Sequence, residues 1–171
     1  MTIRSLGALV PRVAVSAWVS DAAYVVGDVE IGEDSSIWPG AVIRGDFGPI
    51  VIGSRTHIED GCILHAGRAM TVGSNVLVGH GALVHCGSVG DNCLVGSRSI
   101  VLDHVQVGAF TTIAAGSVVL TGTEIPERSF VVGSPATVRP ASEKQLDFLH
   151  RMAASDGGYI ELYRRYRDAG L

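Results

Sequence analysis

A single aliphatic residue returns every six positions along most of the chain. It runs through Val13, Val19, Val25, Ile31, Ile37 and Ile43. After three extra residues it resumes at Ile52, Ile58 and Leu64, and after two more at Val72, Val78 and Val84. One residue is then lost, and the series continues through Val89, Val95, Val101, Val107, Ile113, Val119, Ile125 and Val131. Glycine often follows the aliphatic residue, as in Ile31-Gly32, Ile52-Gly53, Val72-Gly73 and Val95-Gly96. The fifth position of each unit is usually small: Ser35, Ala41, Thr56, Cys62, Ala82, Ser88, Cys93, Ser99, Thr111 and Ser117. A helix needs apolar spacing near 3.6, and this period does not supply it. A six-residue strand–turn unit that sends one large and one small residue inward does fit. Stacked units then bury a thin continuous core, with neighbouring strands about 4.8 Å apart.

The pattern resembles the hexapeptide-repeat family. That resemblance implies a mainly β fold, a left-handed parallel β-helix of triangular cross-section with three hexapeptides to each coil. The handedness comes from the resemblance alone, since the general rule favours right-handed crossovers. Twenty units then make six to seven coils. From about Pro140 the spacing changes. Ser142 followed by Gln145 reads as a capping box, and Leu146, Leu149 and Met152 recur at helical intervals. Gly157-Gly158 is a break, after which Tyr159, Leu162, Tyr163 and Tyr166 follow i, i+3, i+4, i+7. The expectation is a β-helix domain over residues 1–139 and a C-terminal helical segment over 140–171, packed on its side.

Composition removes several partners. Apolar residues make up 47% of the 171, enough for a real core, and aromatics only 6%. The formal charge is −4, and Lys144 is the sole lysine among 13 basic residues. With no run of like charges before the C-terminus, neither nucleic acid nor an acidic membrane surface is the expected partner. No apolar run approaches the ~18 residues of a membrane span, and residues 1–11 lack the pattern of a signal peptide. Cys62, Cys86 and Cys93 form no C-x-x-C pair, which favours reduced thiols and a cytoplasmic protein. Cys62 and Cys93 occupy the small inward position; Cys86 is expected to face outward beside His85.

Of six histidines, three are placed by the register. The units starting at Ile43, Leu64 and Val84 lie on one face in successive coils, so Arg44, His65 and His85 should point outward and stack. His65 and His85 would have backbones roughly 4.8 Å apart, within reach of one zinc ion. His80 and Asp60 belong to units on another face. His80 could reach a metal held by a neighbouring chain, and a cyclic trimer would bring these faces together three times over. The same contact would set Asp60 opposite Arg44. A histidine on such a face is otherwise a solvated or hydrogen-bonded side chain, and that reading stands beside the metal one. His57, His104 and His150 fit no shared geometry and are read as structural.

The segments Val42-Ile43-Arg44-Gly45-Asp46, Ile52 to Asp60, Leu64-His65 and Val78 to Cys86 resemble the γ-class carbonic anhydrases, over roughly residues 10–140. The resemblance implies a homotrimer with zinc, or alternatively iron or cobalt, at the subunit interfaces. It implies His65 and His85 from one chain and His80 from the next as ligands, with Arg44, Asp46 and Asp60 at the interface. Glu59 stands where that family carries a glutamine, and Phe47 where it carries a glutamate. Tyr159 is placed to overhang the site, or simply to pack the helix.

The expected activity is that of a lyase: metal-bound hydroxide attacks carbon dioxide and bicarbonate leaves. Glu59 would orient the hydroxide or accept a proton, with Arg44, Asp46 and Asp60 holding the interface and ligand tautomers. Hydrolysis of an acyl-CoA thioester by the same metal centre is the alternative. A metal-free acyltransferase is weaker, because the insertions of two or three residues give no long excursion loop. A non-catalytic accessory role is the fourth reading.

Overall fold

The computed structural model describes residues 2–171. Three stacks of short parallel strands make a solenoid of about seven coils. Its register follows the six-residue period: Ile43 pairs with Leu64, Leu64 with Val84, Val84 with Val101, and Val101 with Val119. These side chains all point inward and are buried, as are Ile37, Ile58, Val78, Val95 and Ile113 on the second stack. The core is a column of aliphatic rungs rather than a layer.

Small residues complete the column. Ser35 and Thr56 are fully buried, and each donates its hydroxyl to a carbonyl of the next coil, Gly53 and Gly73, at 2.7 Å. A buried hydroxyl without an acceptor would cost more than it contributes, and at these two positions a turn carbonyl is in reach, whereas the buried Ser99 hydroxyl finds no partner among the described residues. The glycine after the aliphatic residue has a different cause. A Cβ on Gly53 would lie 2.7 Å from the carbonyl carbon of Gly73, so successive corners approach too closely for a side chain.

Two expectations are corrected at one corner. Ser88 does not point inward; it is partly exposed and donates to Gln106 on the surface. Cys86 does, with 1% of its surface exposed, so it does not face outward beside His85. The lost residue between Val84 and Val89 shortens this corner, and Cys86 takes the small inward place.

The outward residues give the three faces different characters. Strand Val42–Ile52 turns a corner without a break, pairing first with Ile63–His65 and then with Met70–Val72. The face carrying its first half presents Tyr24, Val42, Ile63, Leu83, Ile100 and Val118 in one ladder. The face carrying its second half presents Glu30, Val51, Thr71, Ser88, Gln106 and Glu124. The first ladder is apolar, the second mainly polar. The remaining face, with Trp18, Ser36, His57 and Leu77, is covered by helices.

Those helices are α1 (Glu143–Ser155) and α2 (Tyr159–Asp168), separated at Gly157 and Gly158, both with positive φ. Ser142 and Gln145 form the reciprocal cap expected from the sequence. Leu146 and Leu149 are buried from α1. From α2, Tyr163 is fully buried, its ring parallel to Trp18 with centroids 6.3 Å apart. Before α1 the chain leaves the solenoid in an antiparallel hairpin, Ser129–Gly133 with Ala136–Pro140. No helix among the described residues is long and apolar enough to cross a membrane.

Leu64, fully buried, precedes His65 in the chain and pairs with Val84, which precedes His85. Leu64→Ala should cost about 2–5 kcal/mol, read as a lowered urea midpoint at unchanged slope.

Candidate metal centre

The strand pairing sets Arg44 against His65, and His85 follows Val84 in the next rung. The two imidazoles meet as the register requires: His65 Nδ1 lies 3.1 Å from His85 Nε2, with ring centroids 5.0 Å apart. Each ring is anchored at its far nitrogen. His65 Nε2 is 2.9 Å from Asp46 Oδ1, and His85 Nδ1 is 3.0 Å from Asp103 Oδ1. Arg44 pairs with the other oxygen of Asp46. Partial desolvation of Asp46 would raise its pKa, but hydrogen bonds from Arg44 and His65 outweigh it and hold the carboxyl below its usual range.

This arrangement has a chemical consequence. A carboxylate accepts, so Asp46 and Asp103 each take an N–H from the ring they touch. A neutral imidazole has only one N–H, which leaves two lone pairs facing each other at 3.1 Å. A shared proton or a metal ion between the nitrogens satisfies such a contact. Two nitrogens bound to a tetrahedral ion at 2.0–2.1 Å sit about 3.3 Å apart, so the donor set fits a divalent metal with little movement. Carboxylate-anchored imidazoles are also the usual surroundings of metal-binding histidines.

His80 stands elsewhere, at the corner between the helix-covered and apolar faces. Its side chain is 60% exposed, against 14% for His65. Its Nδ1 is 3.1 Å from Asp60 Oδ2, its Nε2 3.3 Å from Glu59 Oε2, and its backbone N–H donates to Glu59 Oε2 at 3.0 Å. Glu59 is buried and accepts from the Tyr159 hydroxyl through its other oxygen. Burial, reinforced by Glu59, pushes the Tyr159 phenol upward, so it stays a donor at neutral pH. The Tyr159 ring stacks on His57 at 4.6 Å and meets Trp38 edge-on at 6.0 Å. Among the described residues of one chain, no three histidine, cysteine or acidic side chains converge as metal ligands. The chain holds two separate clusters, Arg44–Asp46–His65–His85 and Glu59–Asp60–His80–Tyr159. The Arg44–Asp60 contact expected between subunits has no counterpart within the chain: Arg44 turns to Asp46 and Asp60 to His80.

Sequence reasoning missed Asp103, although it follows Val101, which is in register with Val84, and so falls on the corner next to His85. It also missed the buried support beneath Tyr159. Ser36 Oγ accepts from Trp38 Nε1 at 2.8 Å and shares a hydrogen bond with His57 Nδ1, also at 2.8 Å. His57 Nε2 is buried without a partner among the described residues. His150 stacks on Phe110, and His104 is an exposed corner residue with positive φ.

The family profile "Bacterial transferase hexapeptide (six repeats)" matches residues 87–121. A carbonic anhydrase of Geobacillus kaustophilus is 37% identical over 92% of this chain and 90% of its own length. A mitochondrial γ carbonic anhydrase of Arabidopsis thaliana is 36% identical over 89% of this chain, which spans only 57% of that protein. A crystal structure from Bacillus cereus, assigned provisionally to the acetyltransferases, superposes with a TM-score of 0.91 at 34% identity, covering 98% of both chains.

Burial pushes His57 down to about 4 from an ordinary 6.5. The fold favours the neutral ring, so its contribution is complete above pH 6.5 and is lost as the pH falls toward 4. In EDTA-treated protein, the stability difference between wild type and His57→Gln should shrink by about 3 kcal/mol from pH 7 to pH 4, measured by urea denaturation.

Proposed function

The chain belongs to the γ-class carbonic anhydrase-like family of hexapeptide-repeat proteins, and we propose that it is a metal-dependent enzyme of that class, hydrating carbon dioxide at sites completed between the subunits of a homotrimer. His65 and His85 of one copy and His80 of the next are the ligands. Zinc, or iron or cobalt, is the ion, and when bound it acts as a Lewis acid that brings the ionisation of water near pH 7. The carrying observation is the approach of His65 Nδ1 to His85 Nε2 at 3.1 Å, with a carboxylate against the far nitrogen of each ring.

The surface around that pair supports the trimer. One face is polar, one is covered by α1 and α2, and the third presents an apolar ladder in which Ile63 is 43% exposed. A protein does not ordinarily leave such a stripe in water, and the two metal-facing histidines stand beside it. His80 lies at the edge of the same face and has no metal partner within its own chain. A cyclic arrangement covers the ladder and completes the site in one contact.

The remaining side chains have defined tasks. Asp46 and Asp103 fix the tautomers of His65 and His85, and Arg44 keeps Asp46 ionised. Glu59 accepts the proton released when water adds to carbon dioxide, and Tyr159 holds its outer oxygen so that the other faces His80. Asp60 orients the His80 ring. The three buried free thiols suit a reducing cytosol.

His80→Ala and His85→Ala should each lose metal and activity. Unfolded together and co-refolded, they should regain hydration activity, because a mixed trimer contains one interface with all three histidines. Glu59→Gln keeps the hydrogen-bonding shape but cannot take a proton. It should lower kcat about 10²–10⁴-fold with metal content unchanged, by stopped-flow hydration assay and elemental analysis. Replacing Ile63 by Glu should convert the trimer to monomers in sedimentation velocity.

A further inference from the structure

The six-residue register is broken three times, always at the same corner of the prism. Three residues are added between Ile43 and Ile52, two between Leu64 and Val72, and one is removed between Val84 and Val89. The corner joins the apolar face to the polar face. A lengthened loop therefore stands directly next to a shortened one. The result is a recess of about 420 Å³ whose wall includes His85. Its floor is made of residues too small to fill it. Cys86 has turned into the core, and at Gly87 a Cβ would lie 2.2 Å from Gln106 Nε2. The volume is that of a site for an organic molecule, about 300–1,000 Å³, and carbon dioxide would leave most of it empty.

The rim is rich in donors. Arg68, on the lengthened loop, is exposed and pairs with no carboxylate among the described residues. Gln106 accepts from Ser88 through Oε1 at 2.5 Å, which turns its amide N–H groups toward Gly87 and the recess. His104 lines the far side. The one carboxylate present, Asp103, spends Oδ1 on His85. A planar guanidinium beside an amide donor is the arrangement that grips a carboxylate or phosphate through two oxygens.

We infer that this recess is a binding subsite for the anionic end of an organic substrate, a carboxylate or phosphate held by Arg68 and Gln106 with its other end directed at the His65–His85 pair. Its role as a substrate subsite rests on the metal-centre reading; the anion binding does not. The corner that departs from the repeat is thus the one that gives the site room for more than carbon dioxide.

Calorimetry on the purified full-length protein, with succinate and inorganic phosphate as separate probes, tests it. Binding of either probe near one per chain, weakened at least tenfold by Arg68→Gln and less by Arg68→Lys, supports the inference. Succinate alone identifies a carboxylate site and phosphate alone a phosphate site. No binding of either probe at millimolar concentration, or binding indifferent to Arg68→Gln, overturns it. A hydration assay on metal-loaded protein separates the two readings. Arg68→Gln should relieve inhibition of that hydration by the bound anion at least tenfold. Absence of hydration with zinc, iron and cobalt alike would overturn the metal reading, while the calorimetry would still decide the anion site.

Discussion

Parallel in-register stacking of backbone on backbone governs everything else in this molecule. Each rung hydrogen-bonds to the rung one coil away, so residues about twenty positions apart are held at the spacing of adjacent strands. No side chain chooses that distance. It is why His65 and His85 meet, why Ser35 reaches the carbonyl of Gly53, and why Gly53 can be nothing larger. A lattice with one fixed dimension lets a short chain aim two imidazoles with strand-like rigidity, without relying on loops.

The same lattice limits what one chain can do. A triangular prism turns its faces away from each other, and within one chain His80 does not converge with His65 and His85. The His65–His85 pair on the apolar face and His80 at its border are each well supported, by Asp46 and Asp103 on one side and by Glu59, Asp60 and Tyr159 on the other. Neither group brings three metal-ligating side chains together among the described residues. The helices serve this division: they cover Trp18 and Trp38 of the second face with Tyr163 and Tyr166 and deliver Tyr159 to Glu59, while leaving the first face bare.

The repeat was legible because a strict period fixes which residues stack from coil to coil, and with it came the stacking of Arg44, His65 and His85. The helical cap at Ser142 and the break at Gly157-Gly158 were legible for the same local reason: few residue types satisfy those backbone positions. What escaped was set by deviations from the period. The orientation of Cys86 reversed because a missing residue moved it into the core, and a template with fixed inward positions cannot show that. Asp103 escaped because its role depends on a ring rotation at His85 rather than on spacing. His57 read as structural and is, but its partnership with Ser36 and Trp38 required a covered face that only the folded helices supply.

A stack of parallel coils has no intrinsic stopping point, since the final rung displays the same unpaired backbone groups as any other and invites another copy to continue it. The closing hairpin answers this on the helix-covered face: Ala136–Pro140 runs back antiparallel along the last strand, and Pro140 offers no N–H to an incoming chain. The reversal substitutes a mismatched edge for a matched one. It is a terminator against fibre growth, and it lets a protein built from an endlessly extensible motif remain a particle of defined size.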